Sequence, residues 1–319
     1  MERMRYRFGH VVVALVSIGA AALSAQRASD GRPDLQGVWT NGTLTPLTRP
    51  TEWAHRFSLT EAEAAEFERT GFERTMKTVP QLDRMTAGDL DEVYLDTATL
   101  KVVADRRTSL IVDPPNGMLP PQLPAARERN SSRKLSYDDP ESRTLDERCL
   151  ASFVFGGSSA APPLVPNPVI QDLYRIVQTP QAVMIVTELV HDVRTIRIGG
   201  QHLPSGIRQW LGDSIGHWEG DTLVVDTTNF TDKTHYRGSS ARLHVVERFT
   251  RTDATTLRYR ATIEDPDTWA APWTVDMPFR ATSEQIFEYA CHEGNYAMEN
   301  SLRGMRAKER DDEVAARKK

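Results

Sequence analysis

The chain has 319 residues, of which 39% are hydrophobic and 26% are charged, and its formal net charge is −5 at pH 7. This is an ordinary globular composition, with room for one large domain or two small ones. The acidic balance argues against nucleic acid or an anionic membrane surface as the partner.

Residues 1–25 have the features of a signal peptide. Three arginines (Arg3, Arg5 and Arg7) precede an uncharged apolar run over residues 11–23, and small residues follow it. The run is shorter than the roughly 20 residues that a membrane-spanning helix needs. No later stretch is apolar enough to be a membrane helix. We therefore predict an exported protein, periplasmic or secreted, without a membrane span.

The chain contains two cysteines, Cys149 and Cys291. In an oxidising compartment the expected state of such a pair is a disulfide. The alternative is two buried free thiols.

The N-terminal half predicts few regular elements. Residues 33–40 are predicted to form the first strand, and Thr60 is predicted to cap a short helix over residues 61–69, whose first turn is acidic. A short apolar strand at residues 109–112 lies inside a long irregular insertion, residues 50–165, of which 127–143 is a charged surface excursion.

From residue 170 onward the hydrophobic period is two, which is typical of antiparallel strands. The predicted strands cover residues 173–178, 183–189, 193–198, 222–228, 244–250, 256–263, 273–279 and 286–291. A helix over residues 295–308 closes the domain, and residues 309–319 form a frayed, charged tail. About eight short strands predict a mainly β fold, an antiparallel barrel or a two-sheet sandwich, in one domain over residues 33–308.

Two sets of residues carry a resemblance to known proteins. Gly37-Val38-Trp39 after a turn resembles the first-strand motif of the lipocalin and calycin barrels. The run at residues 212–225, GDSIGHWEGDTLVV, and the run EYACHEGN at 288–295 resemble a large group of exported bacterial proteins. The first resemblance implies a lipocalin-like barrel, and the second implies no catalytic residues.

Gly212-Asp213-Ser214-Ile215-Gly216 matches the G-x-S-x-G pattern of serine hydrolases. A nucleophilic Ser214 would take Asp226 and either His244 or His292 as partners. However, a turn and another strand follow the motif instead of a helix, so it also fits a turn in which Gly212 and Gly216 adopt positive φ. In that case it enters the hairpin 215–228, which places His217, Glu219 and Asp226 near a barrel rim.

Charged residues in and next to the predicted strands 173–178, 183–189 and 193–198 suggest a polar site. Glu188 lies in a run that we expect to be buried on both faces, where a carboxylate must be paired or protonated. A two-residue turn at 180–181 would put Arg175 opposite Val186, one diagonal away from Glu188. The alternatives are a structural ion pair or a polar group in a ligand cavity. If the strand continues past residue 189, Asp192 and Arg194 lie on the same face as Glu188.

The remaining candidates are His292, Glu293 and the aromatic residues. His292-Glu293 begins like a zinc-binding helix, but Tyr296 stands where the second histidine belongs, so we predict no metal site. Trp39 and Tyr259 are candidates for an apolar ligand pocket, although such residues more often fill a core.

These features predict an exported β-barrel that binds a small organic ligand, or carries out acid–base chemistry on it, and they leave open whether the protein is an enzyme. Glu188, Asp192, His292 and Glu293 are the candidate catalytic residues. Trp39, Arg194, His217, Asp226 and Tyr259 are the candidate ligand-binding residues. The alternatives are an exported hydrolase that uses Ser214 or a carboxylate pair, and an interaction module of the cell envelope. The sequence indicates neither a cofactor nor an oligomeric state.

Overall fold

The computed structural model describes residues 27–78, 100–132, 138–145, 147–151, 160–166, 173–233 and 236–318. The predicted signal peptide lies outside these residues. The strands are β1 (Gly37–Thr40), β2 (Ile111–Asp113), β3 (Leu173–Gln178), β4 (Ala182–Thr187), β5 (Val193–Ile198), β6 (Asp213–Glu219), β7 (Thr222–Thr228), β8 (His244–Arg251), β9 (Thr256–Glu264) and β10 (Trp273–Ala281). The helices are α1 (Glu61–Thr78), α2 (Pro124–Ser132) and α3 (Tyr296–Arg317), with 3-10 turns at Thr51–Trp53, Pro140–Ser142, Leu189–His191 and Tyr236–Gly238.

The sheet closes on itself as a barrel. Its strand order is β1-β3-β4-β5-β6-β7-β8-β9-β10, and β1 pairs with both β3 and β10. The extra strand β2 pairs with the N-terminal half of β10. All neighbours are antiparallel except β5 and β6, whose connection over residues 199–212 returns along the barrel before β6 begins. The predicted mainly β barrel is thus confirmed.

Alternating side chains fill the barrel. On β9 and β10 the inward residues are the apolar ones that the period of two indicates, and all are fully buried: Leu257, Tyr259, Ala261, Ile263, Trp273, Val275, Met277 and Phe279. The rings of Phe249, Tyr259 and Phe279 pack in sequence, with centroids 5.0 and 5.3 Å apart. Aromatic and β-branched residues suit this surface because they pack across neighbouring strands.

The predicted strand at residues 286–291 is wrong. This segment is irregular and mostly exposed. The physical reason is that β10 already pairs with β9 along one side and with β2 and β1 near the two ends of the other side. The barrel is therefore closed before residue 286, and the segment is not part of the sheet.

The helices also differ from the predicted ones. Helix α1 begins where expected, and Thr60 and Glu63 form a capping box at its start, but it continues to Thr78. Helix α2 lies in a stretch predicted to be irregular. Helix α3 runs to Arg317, beyond the predicted end at 308. No residue of α3 is buried, and ion pairs one turn apart, such as Lys308–Asp312, support it.

Cys149 and Cys291 form the predicted disulfide, with their Cα atoms 5.8 Å apart. It joins the segment before residue 150 to the irregular segment that leads into α3, and not to a strand. Within the described residues, none of the helices is both long and apolar enough to cross a membrane.

Candidate functional site

Polar side chains gather on the outer face of the barrel, at one rim. Strands β6 and β8 begin at this rim with Asp213 and His244, and β7 ends there shortly after Asp226. Asp226 pairs with Val246 in the β7–β8 register, which makes His244 its diagonal neighbour on the same face. The connection over residues 199–212 brings His202 onto this face. We call these four side chains, Asp213, Asp226, His202 and His244, the rim cluster.

Asp226 is the centre of the rim cluster. Its Oδ1 lies 3.0 Å from Nε2 of His202 and 3.1 Å from Nε2 of His244. An ionised carboxylate has no proton to donate, so both ring nitrogens donate to the same oxygen. His202, His244 and Asp226 are all partly exposed. The arrangement is therefore open to a molecule from solvent.

His202 is held at both ends. Its Nδ1 lies 3.0 Å from Oδ2 of Asp213, which is almost fully buried. The same Oδ2 accepts a hydrogen bond from the backbone N–H of Leu203 at 2.8 Å, and Oδ1 accepts one from Arg197 at 2.8 Å. Since both nitrogens of His202 face carboxylates, His202 fixes the position of Asp226 and offers no free nitrogen to a ligand.

Nδ1 of His244 makes no hydrogen bond to the residues that the structure describes. This nitrogen lies 4.0 Å from Oε2 of Glu264, too far for a hydrogen bond. The hydrogen bond to Asp226 raises the pKa of His244 above its ordinary value of 6.5, against the opposing effect of burial. The same bond lowers the pKa of Asp226, with a smaller contribution from His202. The raised pKa means that the protonated form of His244 is favoured more than in a free imidazole.

A second polar group lies inside the barrel near the same rim. Arg194 and Glu247 are fully buried and form a two-bonded ion pair, with N···O distances of 2.6 and 3.0 Å. Tyr259 donates to Oε1 of Glu247 at 3.0 Å and accepts from the backbone N–H of Leu164 at 2.8 Å. Burial, and then the charge of Glu247, raises the pKa of Tyr259 well above its ordinary value.

This interior network contains two of the predicted ligand-binding residues, Arg194 and Tyr259. The third interior candidate, Trp39, is also buried, and its Nε1 donates to the backbone oxygen of Leu35 at 3.0 Å. All three side chains are covered by the chain itself. They are part of the buried interior of the barrel.

Ser214 does not meet the partners that a serine hydrolase needs. It points into the barrel, is buried, and its hydroxyl lies 2.9 Å from that of Thr227. Asp226 precedes Thr227 on β7 and therefore points to the outer face. The sheet thus separates Ser214 from Asp226 and His244, although those two residues do contact each other as a dyad.

Glu188 is not the buried strand residue that the sequence indicates. Arg175 does pair with Val186, but β4 buries only one face and ends at Thr187, and Glu188 begins a 3-10 turn. Its carboxylate accepts from the backbone N–H of Phe287 at 3.3 Å, and desolvation raises its pKa. Because Glu188 lies outside β4, it does not share a strand face with Arg175, which is exposed.

The other candidates lie apart from the rim cluster. Asp192 is buried in the connection between β4 and β5. His292 is exposed, and Glu293 lines a cleft beside the disulfide. His217 contacts Glu219 at 3.2 Å at the opposite end of the barrel, next to the β6–β7 turn. Asp226 is thus the candidate that the rim cluster contains.

Sequence reasoning missed His202, Asp213 and Glu247. Glu247 could have been found from alternation, since it occupies an inward position of β8 between Val245 and Phe249. His202 had no such signal, because a long connection places it.

Among the residues that the structure describes, no group of three or more His, Cys, Asp or Glu side chains could hold a metal ion. No family model, curated protein or solved structure matches the chain.

Proposed function

We propose that the protein binds a small organic ligand at the rim cluster and exchanges a proton with it through His244. One observation carries this proposal: Asp226 accepts a hydrogen bond from Nε2 of His244, while Nδ1 makes none to the residues that the structure describes. A carboxylate on one nitrogen fixes the neutral ring as the Nε2–H tautomer, so that Nδ1 has the free lone pair of a general base.

The roles within the rim cluster follow from its hydrogen bonds. His244 is the base. Asp226 orients His244 and stabilises its protonated form, as the carboxylate of a catalytic dyad does. His202 positions Asp226 through its Nε2. The buried carboxylate of Asp213 in turn holds His202 through Nδ1.

We propose further that this chemistry takes place outside the cytoplasm. The disulfide between Cys149 and Cys291 supports export, because disulfides persist in oxidising compartments. The basic and apolar start of the chain, which fits a signal peptide, supports it from the sequence.

Hydrolysis of p-nitrophenyl acetate tests the base. In this probe reaction Nδ1 of His244 takes a proton from water, the water oxygen attacks the ester carbonyl, and the bond to p-nitrophenolate breaks. Acetic acid and p-nitrophenolate are released, and the absorbance of p-nitrophenolate reports the rate. The protein-dependent rate should rise with pH through the raised pKa of His244, since only the neutral ring is a base.

Two variants provide controls. H244Q should remove most of the protein-dependent rate. H217Q should leave the rate unchanged. His217 is a suitable control because its Nε2 also contacts a carboxylate and its side chain is more exposed than that of His244. S214A tests the hydrolase alternative and should leave the rate unchanged. Equal losses in H244Q and H217Q would mean that any surface histidine serves, and a loss confined to S214A would replace this proposal with the serine mechanism.

A further inference from the structure

A cleft of about 610 Å³ lies beside the disulfide, away from the rim cluster. Arg143 and Glu147 form one wall, residues between 288 and 295 form the other, and the first turns of α3 line its base. Its volume is in the range of small-molecule sites, which is roughly 300–1,000 Å³.

The charges of the cleft leave a negative excess. Arg143 has a nearly buried side chain and pairs with Glu147 at 2.5 Å, so these two charges compensate each other. Glu288 and Glu293 also line the cleft, and neither forms an ion pair within the described part of the chain. Two carboxylates are therefore available to a ligand.

Part of the cleft lining is apolar. Ala290 in the second wall and Ala297 and Met298 in the base lie beside the carboxylates. Methionine adapts to irregular shapes because its side chain is unbranched and flexible. A ligand with a positive group and a short apolar body would meet both kinds of surface.

The two walls are joined by few links. The disulfide connects Cys149 on one side with Cys291 on the other. Asn295 adds hydrogen bonds from Nδ2 to the backbone oxygen of Glu147 at 3.4 Å and to Sγ of Cys149 at 3.5 Å. The second wall begins after β10 has closed the barrel, so it is outside the strand pairing, and the backbone oxygen of Tyr289 in this wall lies 3.1 Å from Nδ1 of His191 in the β4–β5 connection.

We propose that this cleft binds a small organic ammonium ion, and that the disulfide maintains the cleft by holding its walls together. The ammonium group lies between Glu288 and Glu293, and the apolar body lies against Met298. This site is separate from the proposed proton transfer at His244, and neither proposal depends on the other.

Binding of benzylammonium, followed by protein NMR chemical shifts, tests the ligand class. Benzyl alcohol and benzoate have a similar shape without the positive charge. Benzylammonium should shift residues 288–301, whereas benzyl alcohol should bind more weakly and benzoate should not bind. Equal binding of all three would overturn the charge assignment.

A double variant tests the two carboxylates. E288Q/E293Q should weaken benzylammonium binding by roughly two- to thirtyfold, the range for two exposed ion pairs. D232N/D311N is the matched control, because it removes the same charge from exposed residues outside the cleft. If the control weakens binding as much, the effect belongs to the net charge, and the site is wrong.

A third comparison tests the disulfide. C149S/C291S keeps every carboxylate, and its far-UV circular dichroism should confirm that the barrel is folded. Benzylammonium binding should be lost, and hydrogen exchange over residues 288–301 should accelerate. Unchanged binding in this folded variant would show that the disulfide does not maintain the cleft.

Discussion

At the level of single residues, Asp226 sets the ionisation of His244. In D226N the hydrogen bond to a charged acceptor is lost, so the pKa of His244 should fall toward its ordinary value of 6.5. An NMR titration of the histidine ring protons measures this directly. E264Q is the control and should change the pKa less, because Glu264 lies 4.0 Å away and does not accept a hydrogen bond. A pKa that is the same in D226N and in the wild type would contradict the dyad.

The same contact makes stability depend on pH. Because the folded pKa of His244 is raised, its stabilising contribution is complete below pH 6.5 and is lost as the pH rises through the folded value. The pKa of Asp226 is lowered, so its contribution is complete above pH 3.8 and is lost as the pH falls through the folded value. The free energy of unfolding in urea should therefore decline above pH 6.5, and this decline should be smaller in D226N.

The buried ion pair of Arg194 and Glu247 makes a different prediction. E247A leaves the guanidinium of Arg194 buried without its partner and removes the acceptor of Tyr259, so it should cost about 3–5 kcal/mol. R194M/E247M removes both charges and fills similar space, and it should recover most of that loss. Urea unfolding of the two variants measures the difference. Equal losses would mean that the pair itself, and not the unpaired charge, determines the effect.

At the level of elements, two glycines in and before β6 show which structural features can be predicted from the sequence and which cannot. Gly212 has the positive φ expected of a turn, 73°. Gly216 lies within the strand, where a Cβ would stand 2.9 Å from Cγ2 of Ile196. Turn chemistry is local and can be predicted, whereas the close approach of a neighbouring strand depends on the fold.

Gly212 and Gly220, which both lie in turns and have positive φ, provide a matched test of this distinction. An added Cβ at Gly212 would meet Thr227 and Phe230 at 2.7 and 2.8 Å, in addition to the cost of positive φ. At Gly220, which also has positive φ, it would meet nothing within 4 Å. G220A should cost about 1–2 kcal/mol of unfolding free energy, and G212A about 2–4 kcal/mol, because steric strain adds to the backbone term. Thermal unfolding gives both values, and the opposite order would contradict the packing.

The site shows the same division between local and long-range information. Strand periodicity predicts most of the barrel, and the β7–β8 register could have placed His244 beside Asp226. His202 arrives from a long connection with no periodic pattern, so its contact depends on the closed barrel. The error at Glu188 has a related cause: an apolar run shows that a strand is present but not where it turns, and β4 ends at Thr187, two residues before the predicted end.

At the level of the whole molecule, barrel closure and the disulfide are separate constraints. The barrel is complete at Ala281, where β10 pairs with β1. The disulfide joins residues on either side of strands β3 to β10, which lie within the 142 positions that separate the cysteines. It therefore links the chain before the main run of strands to the chain after it, without being part of the sheet.

A disulfide across so long a loop restricts the unfolded chain strongly. For a separation of 142 residues the chain-entropy relation gives about 5 kcal/mol, as an upper value. C149S/C291S should lower the free energy of unfolding in urea by up to that amount, measured from the fluorescence of the six tryptophans. This loss requires the barrel and the disulfide-linked segments to unfold together. If the linked segments unfolded first, the tryptophan transition of the barrel would stay unchanged, and hydrogen exchange over residues 288–301 would show a separate, earlier opening.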